Sequence, residues 1–185
     1  MNLIVVSDIF GETSALRELV TSLSAPYSAT TILSPYDAVD IPFENEEAAY
    51  QRFQQDCGLD RLFAKLEAAV AQQTGPVDII GFSVGASCAW RLAGDTDAET
   101  VRKIAYFYGS RIRESLSVTP QLPTSLIFPQ HEKGFDIEPV ISALKPKPHT
   151  EIIRTDYLHG FMNRHSVNFS EEGYRRFMAW LSDRW

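Results

Sequence analysis

Short, nearly continuous apolar runs alternate along the chain with stretches whose apolar residues recur at helical spacing. The runs Asn2–Ser7, Thr30–Leu33, Val77–Gly81, Lys103–Tyr108, Thr124–Phe128 and Thr150–Arg154 are rich in Val, Ile, Leu, Tyr and Phe. Most lack the in–out alternation of a half-exposed strand, so they predict strands covered on both faces. Between them, Leu16, Leu19, Val20 and Leu23 keep an i, i+3, i+4, i+7 spacing, and Leu59, Leu62, Phe63, Leu66 and Val70 extend the same pattern over a longer helix. Phe177, Trp180 and Leu181 mark a last helix, with Ser170 placed to cap it and Glu171 and Glu172 on the positive end of its dipole. Thr74-Gly75-Pro76 stops the middle helix and resets the chain for a strand.

Strand–helix–strand order repeated in this way predicts an α/β fold: a parallel sheet of about six strands with helices on both faces. Lys145-Pro146-Lys147-Pro148 is too brief for a domain boundary, and residues 1–185 read as one domain. Tyr36–Asp56 and Gly109–Pro123 are the two loops long enough to shape a pocket. In such sheets ligands bind where the carboxyl ends of the strands emerge, so the loops after the strands are where chemistry is expected.

Composition narrows the function classes. A hydrophobic fraction of 44%, with 11% aromatic, is ample for a core. Seventeen Lys plus Arg against 24 Asp plus Glu leave a charge of −7, and no basic cluster suited to nucleic acid is present. No apolar run approaches the roughly 20 residues of a bilayer helix. Met1-Asn2 leads directly into an apolar run without a basic n-region, so a cytoplasmic location is expected. The two cysteines, Cys57 and Cys88, form neither a disulfide framework nor a metal spacing, and no metal or cofactor is expected.

The most informative segment is Gly81-Phe82-Ser83-Val84-Gly85, between a predicted strand and a predicted helix. This is the G-x-S-x-G pattern in the context of a nucleophile elbow. The flanking glycines permit a sharp turn and a close approach of strand and helix, which holds Ser83 exposed at a helix amino end. The N–H of Val84 then faces an incoming carbonyl oxygen. A serine hydroxyl needs a base. His131, His149, His159 and His165 all follow Ser83, and His159 stands in the loop just after the last predicted strand. His149 precedes that strand, and His165 lies in a polar stretch further along. The orienting acid should follow the fifth strand, where Glu132 and Asp136 compete. Glu132 lies nearer the strand end and is preferred. Asp136 is the second choice, since it precedes Ile137-Glu138-Pro139 and suits a helix cap.

Taken in order, Ser7-Asp8-Ile9-Phe10-Gly11, Gly81-Phe82-Ser83-Val84-Gly85, Phe107-Tyr108-Gly109 and His159-Gly160-Phe161 resemble the dienelactone hydrolase family of α/β-hydrolases. Ser83 stands where the best-known members carry Cys, and Asp8 where the family usually carries Glu. The resemblance implies strand order 2-1-3-4-5-6, metal-free hydrolysis of lactones and esters, and backbone N–H groups of Ile9 and Val84 as an oxyanion hole. Asp8, Phe10, Phe82, Tyr108, His131 and Phe161 are candidates to line the site. Asp8 equally suits an Asx turn, Tyr108 a core or rim position, and His131 the solvent. Arg111, Arg113 and Arg164 could fork a carboxylate substrate, or simply be solvated.

The expected function is hydrolysis of a small ester or lactone through Ser83, His159 and an acid, by a monomer or homodimer with no nucleic-acid or membrane partner. The alternative is a non-catalytic protein of the same fold that binds a small molecule or a partner chain. A flavodoxin-like carrier is disfavoured, because the loop Ser7–Thr13 holds only Gly11 and no glycine-rich phosphate cradle.

Overall fold

A computed structural model describes residues 1–185. The strands are β1 (Asn2–Val6), β2 (Ala29–Leu33), β3 (Val77–Phe82), β4 (Val101–Phe107), β5 (Thr124–Phe128) and β6 (Thr150–Arg154). The helices are α1 (Ser14–Leu23), α2 (Glu46–Asp56), α3 (Gly58–Ala71), α4 (Val84–Leu92), α5 (Ile137–Leu144) and α6 (Glu171–Arg184). All strands pair in parallel, in the order β2-β1-β3-β4-β5-β6. Fold class and strand order are those expected.

Alternation along each central strand divides the interior into two layers. Ile4 and Val6 of β1, Ile79 of β3 and Ile104 of β4 pack with α3, α4 and α5. Leu3 and Val5, Ile80 and Phe107 pack with α1 and α6 on the other face. Covered on both sides, the central strands gain nothing from polar positions, which explains their continuous apolar runs.

Cap chemistry sets the helix starts. The side chains of Thr13, Asp136 and Ser170 accept from backbone N–H groups in the first turns of α1, α5 and α6. Two expectations need correction. The loop Tyr36–Asp56 contains α2, which Asn45 caps by accepting from the Ala48 N–H at 2.9 Å. The loop Gly109–Pro123 begins with a 3₁₀ turn, Ser110–Glu114. The fourth strand also ends one residue early, because Tyr108 turns into the left-handed region at φ 42°.

Candidate active site

The segments after all six strands converge at the carboxyl end of the sheet. After β3, Ser83 sits at φ 52°, ψ −111°, a conformation that costs a non-glycine residue about 1–3 kcal/mol. Its surroundings enforce the strain. A Cβ on Gly85 would lie 2.4 Å from the Val6 carbonyl oxygen, and one on Gly81 would lie 2.7 Å from the Ala86 backbone. Only glycines allow α4 to dock this closely on β1 and β3. The Ser83 N–H donates to the Phe107 carbonyl at 2.9 Å, which fixes the elbow to the neighbouring strand.

Ser83 Oγ lies 2.9 Å from His159 Nε2. On the other side of the ring, His159 Nδ1 lies 2.8 Å from Glu132 Oε1. A neutral imidazole satisfies both contacts when Nδ1–H donates to Glu132 and Nε2 accepts from the Ser83 hydroxyl. Glu132 is 8% exposed at its side chain and is held in a tight turn by a bridge to Phe135. Asp136 does not reach this cluster; its carboxylate caps α5 by accepting from the Glu138 N–H at 3.0 Å. The His159 loop is braced from below, because Asn168 Nδ2 donates to the His159 carbonyl at 2.9 Å. The Tyr108 ring packs against the imidazole with centroids 4.9 Å apart.

The loop after β1 supplies the opposite wall. Asp8 Oδ1 accepts from the Phe10 N–H at 2.9 Å, an Asx turn, while Oδ2 accepts from Asn163 Nδ2. The Tyr36 hydroxyl donates to the Ile9 carbonyl at 2.8 Å, so the Ile9 peptide is held from both ends. The N–H groups of Ile9 and Val84 donate to no group of the protein. Burial pushes the Asp8 carboxyl above the usual carboxylate range, against the opposing hydrogen bonds from Asn163 and Phe10. The expected alternatives for Asp8 thus coexist, since it shapes a turn and also faces the pocket.

A pocket of about 70 Å³ opens at Ser83. Of the expected lining residues, Asp8, Phe10 and Tyr108 border it, together with Ile9 and His159. Three others do not. His131 is exposed. Phe161 is fully buried against Phe177, and Phe82 stacks on Phe107 with centroids 5.0 Å apart. Alternation sends Phe82, beside Ser83, into the core and leaves His131, beside Glu132, in solvent. Glu46, Gly160 and Ser166 complete the wall and were not foreseen. The arginines are engaged elsewhere: Arg111 and Arg113 pair with Glu114, and Arg164 pairs with Glu18. No three His, Cys, Asp or Glu side chains are grouped to hold a metal ion.

This geometry has counterparts among known proteins. The profile of the dienelactone hydrolase family matches residues 2–182. The chain belongs to the dienelactone hydrolase family. A relative from Bacillus subtilis (strain 168), the uncharacterized protein YczH, is 38% identical over 130 residues; the match covers 69% of this chain and 63% of that protein. The chain therefore spans under two thirds of the length of this curated family relative. Among solved structures, the fold is similar to a putative dienelactone hydrolase from Klebsiella pneumoniae, with TM-score 0.74 and 18% identity over 100% of this chain and 87% of that one. It is also similar to a dienelactone hydrolase from Anabaena variabilis, with TM-score 0.65 and 18% identity over 98% of this chain and 83% of that one. At that identity the two structures speak for the fold alone.

Proposed function

We propose that this family member is a serine hydrolase acting on a small carboxylic ester or lactone through an acyl-enzyme. The observation that carries the reading is the continuous chain of contacts from Ser83 Oγ to His159 Nε2 at 2.9 Å and from His159 Nδ1 to Glu132 at 2.8 Å. A hydroxyl joined to a base, and that base to a buried carboxylate, is the arrangement that activates an otherwise weak nucleophile.

Ser83 Oγ attacks the carbonyl carbon as His159 Nε2 takes its proton. The developing oxyanion is met by the free N–H groups of Ile9 and Val84, each donor contributing about 3–4 kcal/mol in comparable enzymes. Glu132 holds the tautomer and stabilises the imidazolium. Collapse of the tetrahedral intermediate breaks the bond to the leaving oxygen, which receives the proton from His159. In a lactone that alcohol remains tethered to the acyl group. Water then adds to the acyl-enzyme with His159 again as base, and Ser83 is regenerated as the carboxylic acid leaves. Serine in the place of the usual cysteine suits oxygen esters, and the short pocket suits small acyl groups.

Steady-state hydrolysis of short-chain aryl esters and lactones tests the reading. Ser83→Ala should lower kcat by about 10⁴-fold or more while the protein stays folded. Equal turnover by the variant and the parent protein would remove Ser83 from the mechanism.

A further inference from the structure

The pocket at Ser83 is lined by two carboxyl side chains, Asp8 and Glu46, and by no Lys or Arg. Both oxygens of Asp8 already accept hydrogen bonds, from the Phe10 N–H and from Asn163. Glu46 differs. It opens α2, and the Ser166 hydroxyl donates to its Oε1 at 2.6 Å, which leaves Oε2 without a donor. Glu46 is half-buried and pairs with no cation of the protein. Tyr108, another wall of this pocket, is 1% exposed and its hydroxyl has no hydrogen-bond partner. Beside that hydroxyl and the free N–H groups of Ile9 and Val84, which the hydrolase reading gives to the oxyanion, the unclaimed acceptor on this wall is Glu46 Oε2.

Such a wall discriminates by charge. A carboxylate on the substrate would meet the Glu46 carboxylate and no counter-ion in a partly desolvated space, where like charges repel more strongly than in water. An ammonium or amide N–H would find the unclaimed oxygen of Glu46. The arginines that could have forked a carboxylate are neutralised by Glu114 and Glu18 and border none of this pocket. A volume of about 70 Å³ is several times the ~10–15 Å³ that one water occupies, which admits a short group and not a long acyl chain.

Building on the hydrolase reading above, we infer that the site selects small esters or lactones bearing an ammonium or N–H donor close to the carbonyl, held by Glu46, and rejects anionic ones. Glu46 is the specificity-determining residue in this account.

Three methyl esters of nearly equal size decide it: methyl β-alaninate (cationic), methyl butyrate (neutral) and monomethyl succinate (anionic). Hydrolysis by the parent protein and by Glu46→Gln is followed by pH-stat at pH 7. In the parent, kcat/KM should fall in that order, with the ammonium ester favoured over the succinate by at least about tenfold, and Glu46→Gln should compress that ratio several-fold. An inverted order, equal values, or a ratio untouched by Glu46→Gln would overturn the inference. Binding of the same esters to Ser83→Ala, read by NMR titration, separates this result from the hydrolase reading. If the parent turns over none of the esters while Ser83→Ala still prefers the ammonium ester, the catalytic reading fails and the charge selection stands. Preference for the succinate, or binding of none, overturns the charge selection itself.

Discussion

At the scale of single residues, the assignment of the acid separates two carboxylates only four positions apart. Glu132 contacts His159, whereas Asp136 caps a helix, so substitutions at the two sites should fail in different ways. Glu132→Gln presents an amide to Nδ1 and disfavours the productive tautomer; kcat should fall by about 10⁴-fold with little change in Tm. Asp136→Ala should instead cost about 1 kcal/mol of stability and leave kcat near that of the parent. Paired kinetics and thermal melts check both, and the reverse pattern would exchange the roles. Cys88 is no rival nucleophile: it is fully buried on α4, and burial pushes its thiol up to about 12. Asp8 makes a pH prediction. The folded chain holds its proton more tightly than the unfolded chain, so its contribution to stability is full below about pH 4 and is lost as pH rises through the raised folded value. Asp8→Asn removes that slope. Its stability relative to the parent should therefore improve between about pH 4 and pH 7 in denaturant titrations, and a difference constant with pH would contradict the assignment.

At the scale of elements, the elbow depends on backbone contact between α4 and β1. Gly85→Ala places a methyl 2.4 Å from the Val6 carbonyl and 2.5 Å from that of Ser7, neither of which can yield without moving β1. The expected loss is about 3 kcal/mol or more, accompanied by a drop in kcat as Ser83 is displaced. Gly75→Ala, which meets nothing within 4 Å, should stay within about 1 kcal/mol of the parent. Chemical denaturation of both variants reads the contrast, and equal effects would show that the close approach is not a constraint. The elements that position Ser83, His159 and Glu132 were legible in the chain because buried parallel strands and an elbow flanked by glycines leave strong local patterns. Helix α2 was not legible. Only Ala49 and Phe53 of its eleven residues are buried, so its apolar stripe is too thin to read, and its one signature was Asn45 followed by Glu46 and Glu47. Missing α2 meant missing Glu46. Asn163 and Ser166 escaped for another reason: they sit in an irregular loop held by side-chain contacts, which has no period to detect.

At the scale of the whole molecule, the two ends of the sheet have different duties. Beyond the carboxyl ends stand Ser83, His159 and Glu132. Toward the amino ends, Asp78 is fully buried on β3, with Arg102 bonding both of its oxygens and the Tyr27 hydroxyl donating to one of them at 2.9 Å. The same hydroxyl lies 3.0 Å from a main-chain oxygen of Trp185 and shares its one proton between the two acceptors, which ties the last residue of the chain to the sheet. This end is paired and closed, while the other keeps a strained serine, two unclaimed N–H groups and an open pocket. No helix is long and apolar enough to cross a membrane. On the proposed reading the whole chain serves to expose one activated hydroxyl, and that can be counted. Folded protein treated with a serine-directed fluorophosphonate should gain the mass of one adduct, mapped to the peptide containing Ser83. Ser83→Ala should gain none, and His159→Ala should label far more slowly. A folded parent protein that takes up no probe, or a Ser83→Ala variant that takes up as much as the parent, would contradict the account.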